Sequence, residues 1–313
     1  MSDTEREASC GTARTPDRVE LEIRRDRGRY IITGHDSLNV PATLHCGQAF
    51  RWRRVGDVEE AVVRGRLLRF RQYGEALIVG PPSDEQTVSL AIRYLGLDEA
   101  HKPREEALAR IDPVMEAAVE HSRGLRLLNQ EPWECLISYI LSARNSIPLI
   151  SRVIENICCE WGTPVEFEGQ VFHAFPDPAD LSCAGEEDIV ACRAGFRSRS
   201  VCEATARVSS GETDLDAIAR LDYHRAKEAL MRLRGVGEKV ADCVLLFSMG
   251  KHEAFPVDVW IQRAVRYLYF DGRDISPAEI RVWAAEKFGP LAGYAQEYLF
   301  AYAREVIPNA LRG

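Results

Sequence analysis

The sequence predicts an α+β chain, with a small antiparallel β-sheet domain near the N-terminus and an all-α, two-lobed domain behind it. Three observations carry that expectation. From Leu21 to Gly80 the apolar residues fall in short runs punctuated by Gly34, Gly56, Gly65 and Gly74, the pattern of strands and tight turns. After Pro81-Pro82 the spacing lengthens to a helical one, beginning with Val88, Ala91, Ile92 and Leu95. Around Leu233 to Cys243 a helical pattern is interrupted by Gly235 and Gly237, which permit a turn that β-carbons would obstruct.

Taken in order, residues 1–20 are polar and read as a disordered tail. Residues 21–121 are expected to form the β-containing domain, with strands at Tyr30-Ile31-Ile32, Ala49-Phe50-Arg51-Trp52, Ala61-Val62-Val63, Leu67-Leu68-Arg69-Phe70 and Ala76-Leu77-Ile78-Val79. Residues 122–313 read as helices to the end, with breaks that include Gly162 to Pro178, Gly195, Gly235, Pro256 and Pro290. A length of 313 residues, 46% hydrophobic and 28% charged, is ordinary for a globular protein with one large core or two smaller ones. No stretch suggests a membrane span or a secretory signal, so no membrane partner is expected and an intracellular location follows, prokaryotic cytoplasm or eukaryotic nucleus. The nine cysteines contain no Cys-x-x-Cys pair and none follows Cys243. Reduced thiols are therefore expected, and a C-terminal four-cysteine iron–sulfur cluster is not.

The net charge of −8 speaks at first against a nucleic-acid partner, but its distribution is uneven. Seven arginines lie between Arg51 and Arg71, and four more between Arg193 and Arg207 against the single acid Glu203. Such stripes are weak signals alone, since most are solvated faces.

The strongest local signal is Leu233-Arg234-Gly235-Val236-Gly237-Glu238-Lys239-Val240-Ala241-Asp242-Cys243, with Asp258 of Pro256-Val257-Asp258 nineteen positions after Lys239. Leu230 and Leu233 close one helix, and Val240, Val244 and Phe247 give the next an i, i+4, i+7 apolar face. Short helices joined in this way aim free backbone N–H groups outward, a site for a phosphate that reads no base. Lys239 then sits where its amine could reach bound DNA, and Asp258 is its natural electrostatic partner. Singly, a solvated lysine and an N-cap aspartate are the commoner readings. A lysine becomes a nucleophile when desolvation or neighbouring positive charge favours the free amine, and hairpin, lysine and aspartate in this order point to that chemistry.

The combination resembles the helix-hairpin-helix base-excision glycosylases, and further segments narrow it to 8-oxoguanine DNA glycosylases. Cys46-Gly47-Gln48-Ala49-Phe50-Arg51-Trp52, Gln130-Glu131-Pro132-Trp133-Glu134-Cys135-Leu136, Gly195-Phe196-Arg197-Ser198-Arg199 and Gly293-Tyr294-Ala295-Gln296-Glu297-Tyr298-Leu299-Phe300 are all similar to that family, in family order over roughly residues 21 to 306. The resemblance implies an all-α two-lobe helix-hairpin-helix glycosylase domain, duplex DNA containing 8-oxoguanine as partner, monomeric action, and a bifunctional reaction. In that reaction Lys239 attacks C1′ of a flipped nucleotide while Asp258 stabilises the charge growing on the sugar, and the Schiff base that follows permits β-elimination. No cofactor is implied beyond a structural monovalent cation at the hairpin.

The family roles carry over residue by residue. The Gly47 carbonyl would read the N7–H that 8-oxoguanine has and guanine lacks, a difference of about 1–3 kcal/mol. Gln296 would bond the Watson–Crick edge, with Phe300 and Cys243 sandwiching the ring. Phe196 would fill the hole in the stack, with Arg197 on the orphaned base and Arg199, Arg144, Asn145, Gly235, Val236 and Gly237 facing DNA. Singly, a turn glycine, a core aromatic, a surface glutamine and a buried thiol are the commoner readings, and the joint occurrence in family order carries the case.

Departures from the eukaryotic pattern limit the match. Trp260 stands where those enzymes have histidine, and Ala303 where they have an acid. Arg144 and Leu149 occupy the positions of the asparagine and arginine that contact the opposite base, so a relaxed opposite-base preference is expected. Two other classes compete. Endonuclease III or 3-methyladenine relatives are disfavoured by the missing cluster and by Lys239 respectively. A non-catalytic DNA-binding protein would use the hairpin for phosphates alone.

Overall fold

The computed structural model describes residues 18–306; most of the expected tail, with Cys10, lies outside them. A six-stranded antiparallel sheet comes first: β1 (Glu22–Asp26), β2 (Arg29–Thr33), β3 (Arg53–Val55), β4 (Val58–Val63), β5 (Arg66–Tyr73) and β6 (Ala76–Val79), in spatial order β1-β2-β6-β5-β4-β3. Phe70 and Leu68 on β5, Leu77 and Val79 on β6 and Ile32 on β2 are fully buried, and α2 (Glu85–Leu95) covers them with Val88, Ala91 and Leu95. Its Asp84 cap accepts from the Thr87 N–H, and Gly96 closes it in the left-handed conformation.

Two expectations for this region need correction. Val40–His45 is a helix, α1, inside the run taken as β; Asn39 caps it through the Ala42 N–H, and Pro41 sits in its first turn. Ala49–Trp52 is not a strand. Its two aromatics go to different cores: Phe50 meets Tyr139 edge-on at 5.5 Å in the helical body, and Trp52 stacks on Phe70 at 5.0 Å under the sheet. A segment that bridges two cores alternates like a strand without pairing as one.

The helical body holds α3 (Lys102–Ala109), α4 (Pro113–His121), α5 (Pro132–Ser142), α6 (Ile147–Trp161), α7 (Pro178–Leu181), α8 (Glu186–Ala191), α9 (Ser198–Ser209), α10 (Leu215–Ala219), α11 (Tyr223–Met231), α12 (Glu238–Ser248), α13 (Val259–Tyr269), α14 (Pro277–Phe288) and α15 (Ala292–Val306). By packing, α3 and α4 belong here, since Leu108, Met115 and Val119 join the helical core. The expected break from Gly162 to Pro178 interrupts the helices, and it is itself structured. β7 (Pro164–Phe167) and β8 (Gln170–His173) form a hairpin inside the segment read as a loop, closed by Glu168 and Gly169, both at positive φ.

Every α5 residue from Cys135 to Leu141 is buried, as is every α12 residue from Val240 to Phe247. Helices apolar on all sides belong at the centre, and these two lie side by side there. Gly235 lets α9 come close: its φ is +81°, and a β-carbon would sit 2.7 Å from Ser200 Oγ. One buried ion pair ties α11 to α12, where Lys227 Nζ lies 2.9 Å from Asp242 Oδ1 and Tyr223 donates to the same oxygen at 2.7 Å. Asp242 is fully buried. Burial pushes its carboxyl pKa up, against the pull of Lys227, so the neutral form is favoured by folding and this contribution is lost as pH rises. Lys227→Met strands that carboxylate, and we expect a loss of about 3–5 kcal/mol in denaturant unfolding at pH ~8. The loss should shrink at pH ~5 as the acid protonates. A pH-independent change below ~1 kcal/mol would contradict the brace.

Candidate active site at the hairpin

Gly237 caps α12 without a side chain, so no side chain caps the first-turn amides of that helix, beside the exposed Gly235. Val236 is a correction. It is buried at 5% exposure and its N–H donates to the Leu233 carbonyl, because the apolar side chain at the centre of the turn packs beneath it. The hairpin face open to a phosphate is therefore glycine backbone.

Lys239 follows in the first turn of α12, half-buried. Its Nζ lies 3.2 Å from Ser142 Oγ and 4.9 Å from the centre of the Tyr139 ring, both on α5. The Ser142 hydroxyl donates to the Tyr139 carbonyl at 2.7 Å, which leaves its oxygen to accept from the lysine. Asp258 combines the two readings weighed for it. Its Oδ1 accepts from the Ile261 N–H at 2.7 Å as the cap of α13, and its side chain borders the cavity that Lys239 enters.

That cavity, of about 50 Å³, brings together Gly47, Lys239, Cys243, Asp258, Gln296 and Phe300, four separated segments of the chain. Gly47 sits at φ +113°, and a β-carbon there would point at Phe300, 3.5 Å away, and at Ile147. The Gly47 loop is pinned by Gln48, fully buried, which donates to the Thr43 and Arg126 carbonyls and accepts from the Leu128 N–H. Burial pushes the Cys243 thiol up to about 12, so it meets a ligand as a neutral, apolar wall. Phe300, partly exposed, forms one side of this cavity.

Sequence reasoning missed Tyr139, Ser142, Gln48 and Glu297 as site residues. Glu297 also lines the cavity, 4% exposed, with its Oε2 unpartnered. Its place inside the Gln296–Phe300 segment was the available signal. Tyr139 and Ser142 lie one turn apart on a helix whose apolar character gave no hint of a function.

The residues expected to face DNA are less uniform. Phe196, on a 3-10 turn of Gly195–Arg197, is 71% exposed, the conformation a wedge needs. Arg199 and Arg144 are exposed, Arg144 at positive φ, and Asn145 is half-buried with its amide donating to the Leu141 carbonyl. Arg197 is 9% exposed, and its guanidinium donates to the carbonyls of Ala143, Arg144 and Ala194 while lying 4.4 Å from the Phe196 ring centre. It thus clamps the wedge turn to the 143–145 turn. The arginines of the 51–71 run are mostly paired with acids: Arg53 and Arg69 with Glu60, Arg54 with Glu59, Arg66 with Asp84, Arg71 with Asp57. Trp260 packs against Ala264 and Ala303, so an apolar contact stands where the eukaryotic pattern has a polar pair.

Comparison with known proteins agrees with this geometry. Residues 30–136 match the family model "8-oxoguanine DNA glycosylase, N-terminal domain", and residues 137–290 match "HhH-GPD superfamily base excision DNA repair protein". A probable N-glycosylase/DNA lyase of Methanothermobacter thermautotrophicus is 38% identical over 62% of this chain and 68% of its own. The N-glycosylase/DNA lyase OGG1 of Arabidopsis thaliana is 31% identical over 85% of this chain and 77% of its own. The solved structure of Clostridium acetobutylicum 8-oxoguanine glycosylase/lyase, in complex with DNA containing cytosine opposite the lesion, superposes with a TM-score of 0.87 at 34% identity, covering 92% of this chain and 99% of that one. The chain belongs to the 8-oxoguanine DNA glycosylase family, with the helix-hairpin-helix domain of the base-excision repair enzymes.

Proposed function

We propose that this protein excises 8-oxoguanine from duplex DNA and nicks the resulting site by β-elimination, acting as a bifunctional N-glycosylase and lyase. The observation that carries the reading is the meeting of Lys239 and Asp258 at one cavity with Gly47, Cys243, Gln296 and Phe300. In this mechanism the hairpin amides hold a phosphate, Phe196 enters the vacated stack, and the lesion nucleotide rotates toward the cavity. The Gly47 carbonyl accepts from N7–H, Gln296 bonds the pairing edge, and the Cys243 and Phe300 walls hold the ring.

Lys239, as the free amine, then forms a bond to C1′ as the C1′–N9 bond breaks, while the Asp258 carboxylate stabilises positive charge on the sugar. Loss of a proton and ring opening give the Schiff base, whose electron withdrawal makes the 2′ proton acidic enough for strand scission. All of these side chains come from a single chain, which supports action as a monomer. Its place is inside the cell with the DNA, and no described helix is long and apolar enough to cross a membrane.

We further propose a relaxed choice of opposite base. Arg144 is exposed on a strained turn, Leu149 is 50% exposed and has no hydrogen-bonding group, and the Arg197 guanidinium is directed at backbone carbonyls. Each directed side-chain contact to a base is worth about 1–3 kcal/mol of discrimination. Incision rates on 8-oxoguanine opposite C, A, G and T are therefore expected to agree within about tenfold. A preference for C above about a hundredfold would contradict this specificity, and absence of incision on all four would contradict the function.

A further inference from the structure

Glu297 on α15 is a second carboxyl group in the cavity that holds Lys239 and Asp258. It is 4% exposed and its Oε2 has no hydrogen-bond partner. A buried carboxyl group is expensive to ionise unless it is paired. The titratable groups that face it are Cys46 just after α1, Tyr139 on α5, Lys239 and Cys243 on α12, and Asp258 at the start of α13. Burial and the Asp258 charge push Glu297 up to about 7, against the Lys239 cation and the Cys46 thiol. Glu297 is thus a deeply buried acid beside a second carboxyl group, and carboxyl pairs in unlike surroundings commonly divide acid and base work.

We propose that Glu297 is an acid–base residue of this same site, taking the proton that Lys239 must shed and returning it to the departing purine. The proposal rests on the glycosylase reading above. The protons and electrons balance in two steps. First, the Lys239 ammonium passes a proton to the Glu297 carboxylate, leaving a free amine and a neutral acid; a cavity of about 50 Å³ admits the water that relays it. Second, the amine lone pair bonds to C1′, the C1′–N9 electron pair leaves with the base, and the Glu297 acid protonates that anion. The products are a secondary ammonium at C1′, a neutral base and the regenerated carboxylate.

The test is single-turnover excision of 8-oxoguanine by the full chain from about pH 5 to about pH 9, for the parent, Glu297→Gln and Glu297→Ala. The parent rate should fall on the acid side with a midpoint near 7. Glu297→Gln should lose about a hundredfold and that acid limb with it, while binding the lesion duplex as before. Added formate should restore activity to Glu297→Ala, an effect that a structural role would not produce. Thermal unfolding separates catalysis from folding. The raised Glu297 pKa stabilises the fold below the ordinary carboxyl value and that contribution is lost as pH rises through about 7. Glu297→Gln should accordingly be at least as heat-stable as the parent at pH ~8. A Glu297→Gln enzyme with the parental rate and pH profile would overturn the proposal, as would a Glu297→Ala enzyme that formate leaves inactive. A parent that removes no 8-oxoguanine would instead sink the glycosylase reading itself.

Discussion

Replacing Lys239 with glutamine is expected to slow base excision by about a thousandfold or more, the loss of at least ~4 kcal/mol of transition-state stabilisation. Among the described residues no other amine lines the cavity, so none of them can take over the attack. The fold should be indifferent. Lys239 is half-buried, and its polar contact is one hydrogen bond to Ser142 Oγ together with the face of Tyr139, which a glutamine amide can largely reproduce. Lesion-duplex affinity should also persist, since the proposed mechanism takes its phosphate grip from hairpin backbone and its base contacts from Gly47 and Gln296. Single-turnover kinetics beside a binding titration measure both. A variant that keeps more than about a tenth of the parental rate would remove the nucleophile from the account.

Asp258→Asn is the second large effect, and its interest lies in what it spares. Asp258 Oδ1 caps α13 through the Ile261 N–H at 2.7 Å, and asparagine is an equally good N-cap. The unfolding midpoint should therefore move little, whereas the negative charge beside the sugar is gone. Removing a group that stabilises charge in a water-poor site costs about 10²–10³ in rate. Asp258→Ala should lose the same catalysis and about 1 kcal/mol of stability as well, so the pair separates charge from cap. Asp258 also helps to hold the Glu297 carboxyl up, and its neutralisation should shift the acid limb of any residual activity to lower pH. If Asp258→Asn excises at the parental rate while Asp258→Ala unfolds, the residue is a cap and nothing more.

Much of this architecture was legible in the sequence, and the parts that were not share a cause. The sheet and the hairpin were readable because they are local: alternation and glycine punctuation mark β4, β5 and β6, and the two glycines before Lys239 announce the turn. Lys239 and Asp258 stood out through the hairpin and their order, Gly47 and Gln296 through the resemblance, and all four meet at one cavity, which no spacing rule could have told. Ala49–Trp52 misled because alternation records which residues are buried, not in which core, and Phe50 and Trp52 enter different ones. The helix Val40–His45 carried its Asn39 cap and its proline in plain sight, but a six-residue helix buries too few positions to show a period. Tyr139 and Ser142 were hidden for the opposite reason. They lie on a helix that looks wholly structural, and only the packing of α5 beside α12 turns them toward the amine.

Borohydride reduction during turnover, followed by peptide mapping of the covalent DNA adduct, tests the central claim most directly. Only an amine bonded to the sugar as an imine is fixed by reduction. The account predicts one adduct, on the peptide that carries Lys239 at the start of α12. An adduct on any other lysine, or excision of 8-oxoguanine with no trapped species at all, would contradict it.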